Sequence, residues 1–192
     1  AVVTSERGTA VEEERDLISR AQAYEPGAFA EIYERFYQGI FNYVFYRVVD
    51  EPLAEDLAAE VFVKALEAID TYTFRGVPFS AWLYRIANNL VTDHFRRKPR
   101  NNHLPLEETQ VADDESPTDL MERGFTQREL QAALALLTDE QQQVVILKFV
   151  DGLSNVEVAS VLGKTEGAIK SLQHRALASL GRVLADYAQD GI

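Results

Sequence analysis

Cysteine is absent from all 192 residues. That excludes disulfides, thiolate metal sites and cysteine nucleophiles, and it suits a reducing compartment. Histidine occurs three times, at His94, His103 and His174, too scattered to hold a metal. No HExxH, GxSxG or Gly-rich phosphate loop occurs, so no enzyme active site and no small-molecule substrate is expected. Long apolar runs are missing as well. The longest run of Val, Ile and Leu is Val144–Leu147, whereas a membrane span needs about 20 apolar residues. The first residues carry Glu12, Glu13 and Glu14 without an apolar stretch, unlike a secretory signal. Basic charge is also scarce: 19 Lys and Arg stand against 31 Asp and Glu, a net charge of -12. A polybasic coating of DNA is therefore not expected. What remains is 46% apolar, enough for most of the chain to fold.

The charges are unevenly spread. Residues 96–100 read RRKPR, whereas 101–125 hold seven acidic groups, one basic group, Pro105 and Pro117. The pattern predicts an N-terminal tail over 1–12, a folded segment over 13–98, an acidic linker over 99–125 and a second folded segment over 126–188. The linker has no helical apolar period and is expected to be mobile. Both folded segments read as helical, and no stretch alternates with hairpin spacing, so an all-α chain of two small helical domains is expected. From Asp50, which can cap it, the period of Leu53, Leu57, Ala58, Val61, Phe62, Ala65, Leu66 and Ile69 marks an amphipathic helix. Ser80 can cap the next helix, AWLYRIANNLVTDHFRR. Upstream, Phe29, Ile32, Tyr33, Phe36, Ile40, Tyr43 and Val44 suggest one or two more. Thr138 with Gln141, and Ser154 with Glu157, have capping-box spacing, and Thr165 can cap a last helix. The C-terminal helices are expected near 126–137, 139–150, 155–162 and 166–185.

The last two of these meet the steric demands of a helix-turn-helix. Ala159 is small where the partner backbone approaches. Gly163, four residues on, permits positive φ at the turn. Ile169, six further on, can plug the crossing, with Val158, Leu162 and Leu172 completing the inner face. Thr165, Glu166, Gly167, Lys170, Ser171 and His174 then face outward, with Arg175 beside them, where they can meet phosphates or base edges in a major groove. A plain helical bundle with a solvated polar face fits the same spacing.

A second constellation lies at 74–97. Trp82 begins a helix ending in Arg96 and Arg97, with Phe74, Phe79, Tyr84 and His94 nearby. Asn88 and Asn89 sit mid-helix, where asparagine is a poor helix former. A basic helix end with interleaved aromatics suits single-stranded nucleic acid, whose bases stack on aromatic faces. Each member alone reads equally as a core anchor or a solvated helix end.

The run Phe79, Trp82, Leu83, Ile86, Ala87, Asn89, Asp93, Arg96 and Arg97 resembles region 2 of the extracytoplasmic-function (ECF) sigma factors of bacterial RNA polymerase. The upstream segment AEDLAAEVFVKAL resembles the part of region 2 that grips the polymerase. LTDEQQQVVILKFVDGLSNVEVASVLGKTEGAIKSLQHRALASL resembles region 4, though LuxR-type regulators share much of that block. The resemblance spans roughly 15–185 and implies a cytoplasmic transcription initiation factor. Its partners would be core RNA polymerase and promoter DNA, with an anti-sigma factor as a further partner the family allows. Region 2 would open the minus-ten element through Phe74, Arg75, Phe79, Trp82, Asn89, Arg96 and Arg97. Asn89 would lie near a base flipped from the non-template strand, in a pocket whose loop runs from Phe74 to Phe79. Region 4 would read the minus-thirty-five element through Thr165, Glu166, Lys170, Ser171, His174 and Arg175. Asp56, Glu60, Val63, Lys64 and Glu67 would meet the polymerase, although Glu60 and Lys64 equally read as an i,i+4 pair. Many members carry arginine where this chain has Leu172 and Leu177. The linker would let the two domains reach separated elements, or let the C-terminal helices close over the 52–69 helix. The alternative is a helix-turn-helix regulator that binds DNA unaided, with the N-terminal segment as a sensing or dimerising domain.

Overall fold

The computed structural model describes residues 3–74, 76–97 and 127–190. The expected linker and Arg75 lie outside them. The described residues hold eight α-helices, a 3-10 turn and a π turn, and among them there is no strand. The N-terminal unit comprises α1 (Val3–Gln22), α2 (Ala28–Val48), α3 (Glu51–Ala68), a 3-10 turn (Ile69–Thr71) and α4 (Phe79–Arg97). Residues 3–12, read from the sequence as a tail, continue α1.

Local chemistry sets most boundaries. Asp50 accepts from Leu53 N at 2.9 Å, and Pro52 occupies the first turn of α3, where its missing N–H costs nothing. The inner stripe of α3 buries Ala54, Leu57, Ala58, Val61, Phe62 and Ala65. Leu66 departs from expectation: it lies at the edge of that stripe and is 42% exposed. Ser80 does not cap α4 either. The helix starts one residue earlier, and its Phe79 N–H donates to Glu14 Oε1 of α1 at 2.8 Å.

The C-terminal unit comprises α5 (Gln127–Ala135), α6 (Asp139–Val145), a π turn (Ile146–Val150), α7 (Asn155–Leu162) and α8 (Glu166–Asp190). Both capping boxes form. The single helix expected over 139–150 instead widens after Val145, and Asp151 N donates to Ile146 O at 3.0 Å. The additional residue in that turn re-aims the chain beyond it, and Asp151 reaches the Tyr84 hydroxyl of α4.

The two units pack together. The face covered is not that of α3: α5 and the π turn lie on α2, and α7 lies on α4. At the C-terminal end of α2, the Phe45 and Tyr46 carbonyls accept from Gln131 and Gln142 side chains, both at 3.2 Å. Arg47 is fully buried. Its guanidinium donates to Tyr43 Oη and Asn88 Oδ1, each at 2.8 Å, and to Asp139 Oδ1 at 2.5 Å. Gly39 of α2 leaves the space that Tyr84 uses, since a methyl there would sit 2.7 Å from its hydroxyl.

The seam can be tested at two residues. Arg47→Met deprives Asn88, Tyr43 and Asp139 of their shared donor. We expect a loss of about 2–3 kcal/mol in urea unfolding, since the partners left behind stay partly desolvated. A change below about 0.5 kcal/mol would show that the guanidinium does not hold the units together. Burial pushes the Asp151 carboxyl up to about 8, partly offset by the Tyr84 hydroxyl. The packed chain thus holds a proton that the unfolded chain releases near its ordinary carboxylate value. Stability should therefore fall as pH rises from about 4 to about 8, by at most about 1.4 kcal/mol per unit. Asp151→Asn should flatten that slope in urea midpoints measured at pH 5, 6.5 and 8.

Candidate nucleic-acid interface

Trp82 organises the N-terminal surface. Its ring packs 5.3 Å from Tyr72 and 5.2 Å from Phe79, which leaves it half-buried with a cleft on either side. One cleft, of about 200 Å³, is lined by Thr71, Tyr72, Thr73, Val77, Pro78, Trp82 and Arg85. The other, of about 330 Å³, is lined by Lys64, Ala68, Thr71, Trp82, Ile86, Asn89, Leu90 and Asp93. A planar aromatic wall with amide, ammonium and carboxylate groups beside it can both stack a base and hydrogen-bond its edge.

The two asparagines part company here. Asn88 turns inward and accepts from Arg47 and from the Tyr43 hydroxyl. Asn89, one residue and about 100° further round the helix, is exposed at the second cleft. Phe79, expected to touch DNA, is instead fully buried. It packs on Phe36, Tyr72 and Trp82, so it supports the tryptophan from beneath. Phe74 is 39% exposed, and the Arg15 guanidinium of α1 lies 4.1 Å above its ring. Arg96 and Arg97 are exposed at the end of α4, and Arg96 pairs with Asp93 at 3.4 Å. Sequence reasoning passed over Arg85, Arg15 and Glu14. No local pattern marks them, because their importance comes from what lies opposite in the fold.

The helix-turn-helix forms as its spacing requires. Gly163 ends α7 at φ 64, Ile169 is fully buried at the crossing, and Val158, Ala159 and Leu172 are buried around it. Thr165 caps α8 by accepting from Ala168 N at 3.2 Å. Thr165, Glu166, Gly167, Lys170, Ser171, His174 and Arg175 are all exposed. Lys170 pairs with Glu166 at 3.1 Å, and Lys164 pairs with Glu140 of α6 at 2.7 Å.

A third surface lies on the outer face of α3. Asp56, Glu60, Val63, Lys64 and Glu67 are all exposed there, and the Glu60–Lys64 pair forms at 3.6 Å. Val63 at 55% exposure and Leu66 at 42% add an apolar strip between the acids. Lys64 also lines the Asn89 cleft, so this surface and that cleft adjoin. Among the described residues no group of His, Asp or Glu is placed to hold a metal ion, and no helix is long and apolar enough to cross a membrane.

Comparison with known proteins yields two family matches. Residues 32–101 match the Sigma-70 region 2 family, and residues 127–180 match the Sigma-70, region 4 family. The chain is 41% identical over 176 residues to the ECF RNA polymerase sigma factor BldN of Streptomyces coelicolor, covering 91% of this chain and 67% of that one. It is 30% identical over 179 residues to the ECF RNA polymerase sigma factor SigW of Bacillus subtilis, covering 88% of this chain and 95% of that one. Among solved structures, CnrH in complex with the cytosolic domain of CnrY shares the fold, with a TM-score of 0.69 at 24% identity over 90% of this chain and 97% of that one.

The turn of the helix-turn-helix can be tested by a pair of glycines. Nothing lies within 4 Å of a Cβ built at Gly163 or at Gly167. Only Gly163 has positive φ, so Gly163→Ala should cost about 1–2 kcal/mol from backbone strain alone. Gly167→Ala, within the helix, should be neutral or stabilising by up to about 1 kcal/mol. Equal thermal shifts for the two variants would contradict the turn geometry.

Proposed function

The chain belongs to the extracytoplasmic-function (ECF) RNA polymerase sigma factors, and from that premise we propose how its surfaces divide the work. As a sigma factor it is a transcription initiation factor that directs RNA polymerase to promoters. In the proposed division, the segment 13–98 binds core polymerase and opens the minus-ten element, and 126–188 reads the minus-thirty-five element. The observation that carries this reading is the opposed placement of Asn88 and Asn89, one spent inside the fold and the other offered at an open cleft beside Trp82 and Lys64. A base flipped from the non-template strand would stack along Trp82 and present its edge to Asn89. Arg96 and Arg97 would take backbone phosphates, with Phe74 and Arg75 at the loop. Phe79 acts only by holding Trp82.

On α8, Lys170, Ser171, His174 and Arg175 would lie in the major groove, with Thr165 and Glu166 at its N-terminal end. On α3, Asp56, Glu60 and Glu67 would meet a basic polymerase surface, while Val63 and Leu66 bury apolar area against it and Lys64 stands at the junction with the minus-ten cleft. The sigma factor RpoE of Bartonella quintana, a relative in fold, is held in its structure by the anti-sigma factor NepR. An anti-sigma factor is accordingly a partner to seek for this chain, which would act in the cytoplasm.

Geometry adds a condition. The two promoter elements lie about 25 base pairs apart, or about 85 Å of duplex. A compact body of this length is about 40 Å across. The packed units cannot reach both elements at once, so the seam along α2 and α4 would open when the factor engages a promoter.

Asn89→Ala should change base preference at one minus-ten position by about 1–3 kcal/mol, roughly 5- to 150-fold, in run-off transcription across promoter variants. Asn88→Ala should lower stability and leave base preference alone. Unchanged preference with Asn89→Ala would reject the pocket role. A gel shift on duplex promoter, with and without core polymerase, separates this reading from a regulator that binds DNA unaided, which would shift the DNA alone.

A further inference from the structure

The loop that walls the minus-ten cleft is held from outside, by α1. Its start is pinned where Gln22 Nε2 donates to the Ile69 and Tyr72 carbonyls, both at 2.9 Å. Just past α1, the Tyr24 hydroxyl donates to Asp70 Oδ2 at 2.7 Å. The middle of the loop is covered where the Arg15 guanidinium lies over the Phe74 ring. Its end is fixed where Glu14 accepts the Phe79 N–H. Contacts from one helix and its last turn thus meet the loop at its beginning, middle and end.

The contacts serve backbone groups at both ends of the loop, although the Ile69 carbonyl also accepts from Tyr72 N at 3.1 Å. A helix start leaves backbone N–H groups without partners, and α4 has no side-chain cap of its own. A carboxylate in that place also faces the positive end of the helix dipole. The Ile69 and Tyr72 carbonyls lie where the chain leaves α3, and a single amide NH₂ group serves both. Arg15 covers one face of Phe74 by a cation–π contact, worth about 0.5–1 kcal/mol at an exposed site.

We propose that α1 is a positioning element for minus-ten recognition: Glu14 and Gln22 fix the loop over 69–79, and Arg15 covers one face of Phe74, leaving the other for a base. The inference rests on the minus-ten reading of the Trp82 clefts and adds residues that touch no DNA themselves. Thr71, Tyr72, Thr73, Val77 and Pro78 line the first cleft, so a loop released from α1 would lose that wall. Trp82 would lose the Tyr72 ring packed on it.

The chain contains a single tryptophan, which is Trp82, so its fluorescence reports on the loop directly. Glu14→Ala in the full chain should shift Trp82 emission to the red and increase its quenching by acrylamide, with far-UV circular dichroism unchanged. In holoenzyme, the same variant should lose about fivefold in minus-ten base discrimination, the weight of one lost helix cap. Affinity for core polymerase should not change. Glu14→Gln, which keeps an acceptor for the Phe79 N–H, should restore both readouts. Gln22→Ala, which removes two neutral hydrogen bonds and no charge, should reproduce the Glu14→Ala pattern if that variant folds poorly. Wild-type discrimination in Glu14→Ala and Gln22→Ala, beside an Asn89→Ala control that does lose it, would overturn the role of α1 alone. A parallel fall in discrimination, polymerase affinity and thermal stability without rescue by Glu14→Gln would also overturn it, since that is what general destabilisation produces. If Asn89→Ala too keeps wild-type preference, it is the minus-ten reading of the cleft that fails.

Discussion

A guanidinium without water must be surrounded by acceptors, and Arg47 is such a group. Taking it out of solvent costs several kcal/mol unless its donors are met. Its two terminal nitrogens are met from three directions, by Tyr43 on its own helix, Asn88 on α4 and Asp139 at the head of α6, while the buried Nε has no hydrogen-bond partner. The first two fix the crossing of α2 and α4. The third ties that crossing to the C-terminal unit. Asn88 is held inward by this arrangement, and the helical step then sends Asn89 outward to the cleft beside Trp82. One buried cation thus sets both the internal frame of the N-terminal unit and the direction in which α4 presents its outer face.

The polar links across the same seam are few. Besides Arg47–Asp139, it uses two glutamine-to-carbonyl bonds and a carboxyl buried against a tyrosine hydroxyl. Hydrogen bonds of this kind contribute only about 0.5–1.5 kcal/mol each, because water replaces them on opening. Asp139 is 48% exposed even in the packed state, so its desolvation cost is already small. Apolar side chains of both units share one buried core, so opening the seam would also expose apolar area. The mixed seam holds the two units together and leaves the outer face of α3 and the outward face of α8 uncovered.

How much of this the sequence disclosed depends on range. Ala159, Gly163 and Ile169 were legible because a helix-turn-helix constrains residues within a dozen positions of each other. So were the caps at Asp50, Thr138, Ser154 and Thr165, each settled within three residues. Glu14 bonding to Phe79 N spans 65 positions, and no local pattern marks it. Arg47 looks like any basic residue near a helix C-terminus, and only the packed fold makes it the most confined charge in the described residues. Aromatic type identified the Trp82 cluster but not its layers. Trp82 lines the clefts and Phe79 lies beneath, three residues apart on one helix. Leu66 failed for a related reason: a residue at the margin of an apolar stripe is placed by what its neighbours cover, which periodicity does not carry.

The acidic balance of the chain bears on how it meets DNA. Lys170, central to the outward face of α8, is paired with Glu166 one turn earlier. A phosphate must compete with that carboxylate, and the gain from counterion release is reduced accordingly. Few other cations stand ready to compensate on a chain of net charge -12. Affinity for free duplex should therefore be low, and the missing attraction has to come from elsewhere. In the proposed division of surfaces, binding to polymerase through α3 would supply it, because a tethered domain searches nearby DNA at high effective concentration rather than from bulk solution. The acids that weaken free DNA binding are on α3 the groups that can meet a basic partner. Charge that opposes unassisted contact with promoters is in this way consistent with a factor that reads them only as part of a larger enzyme.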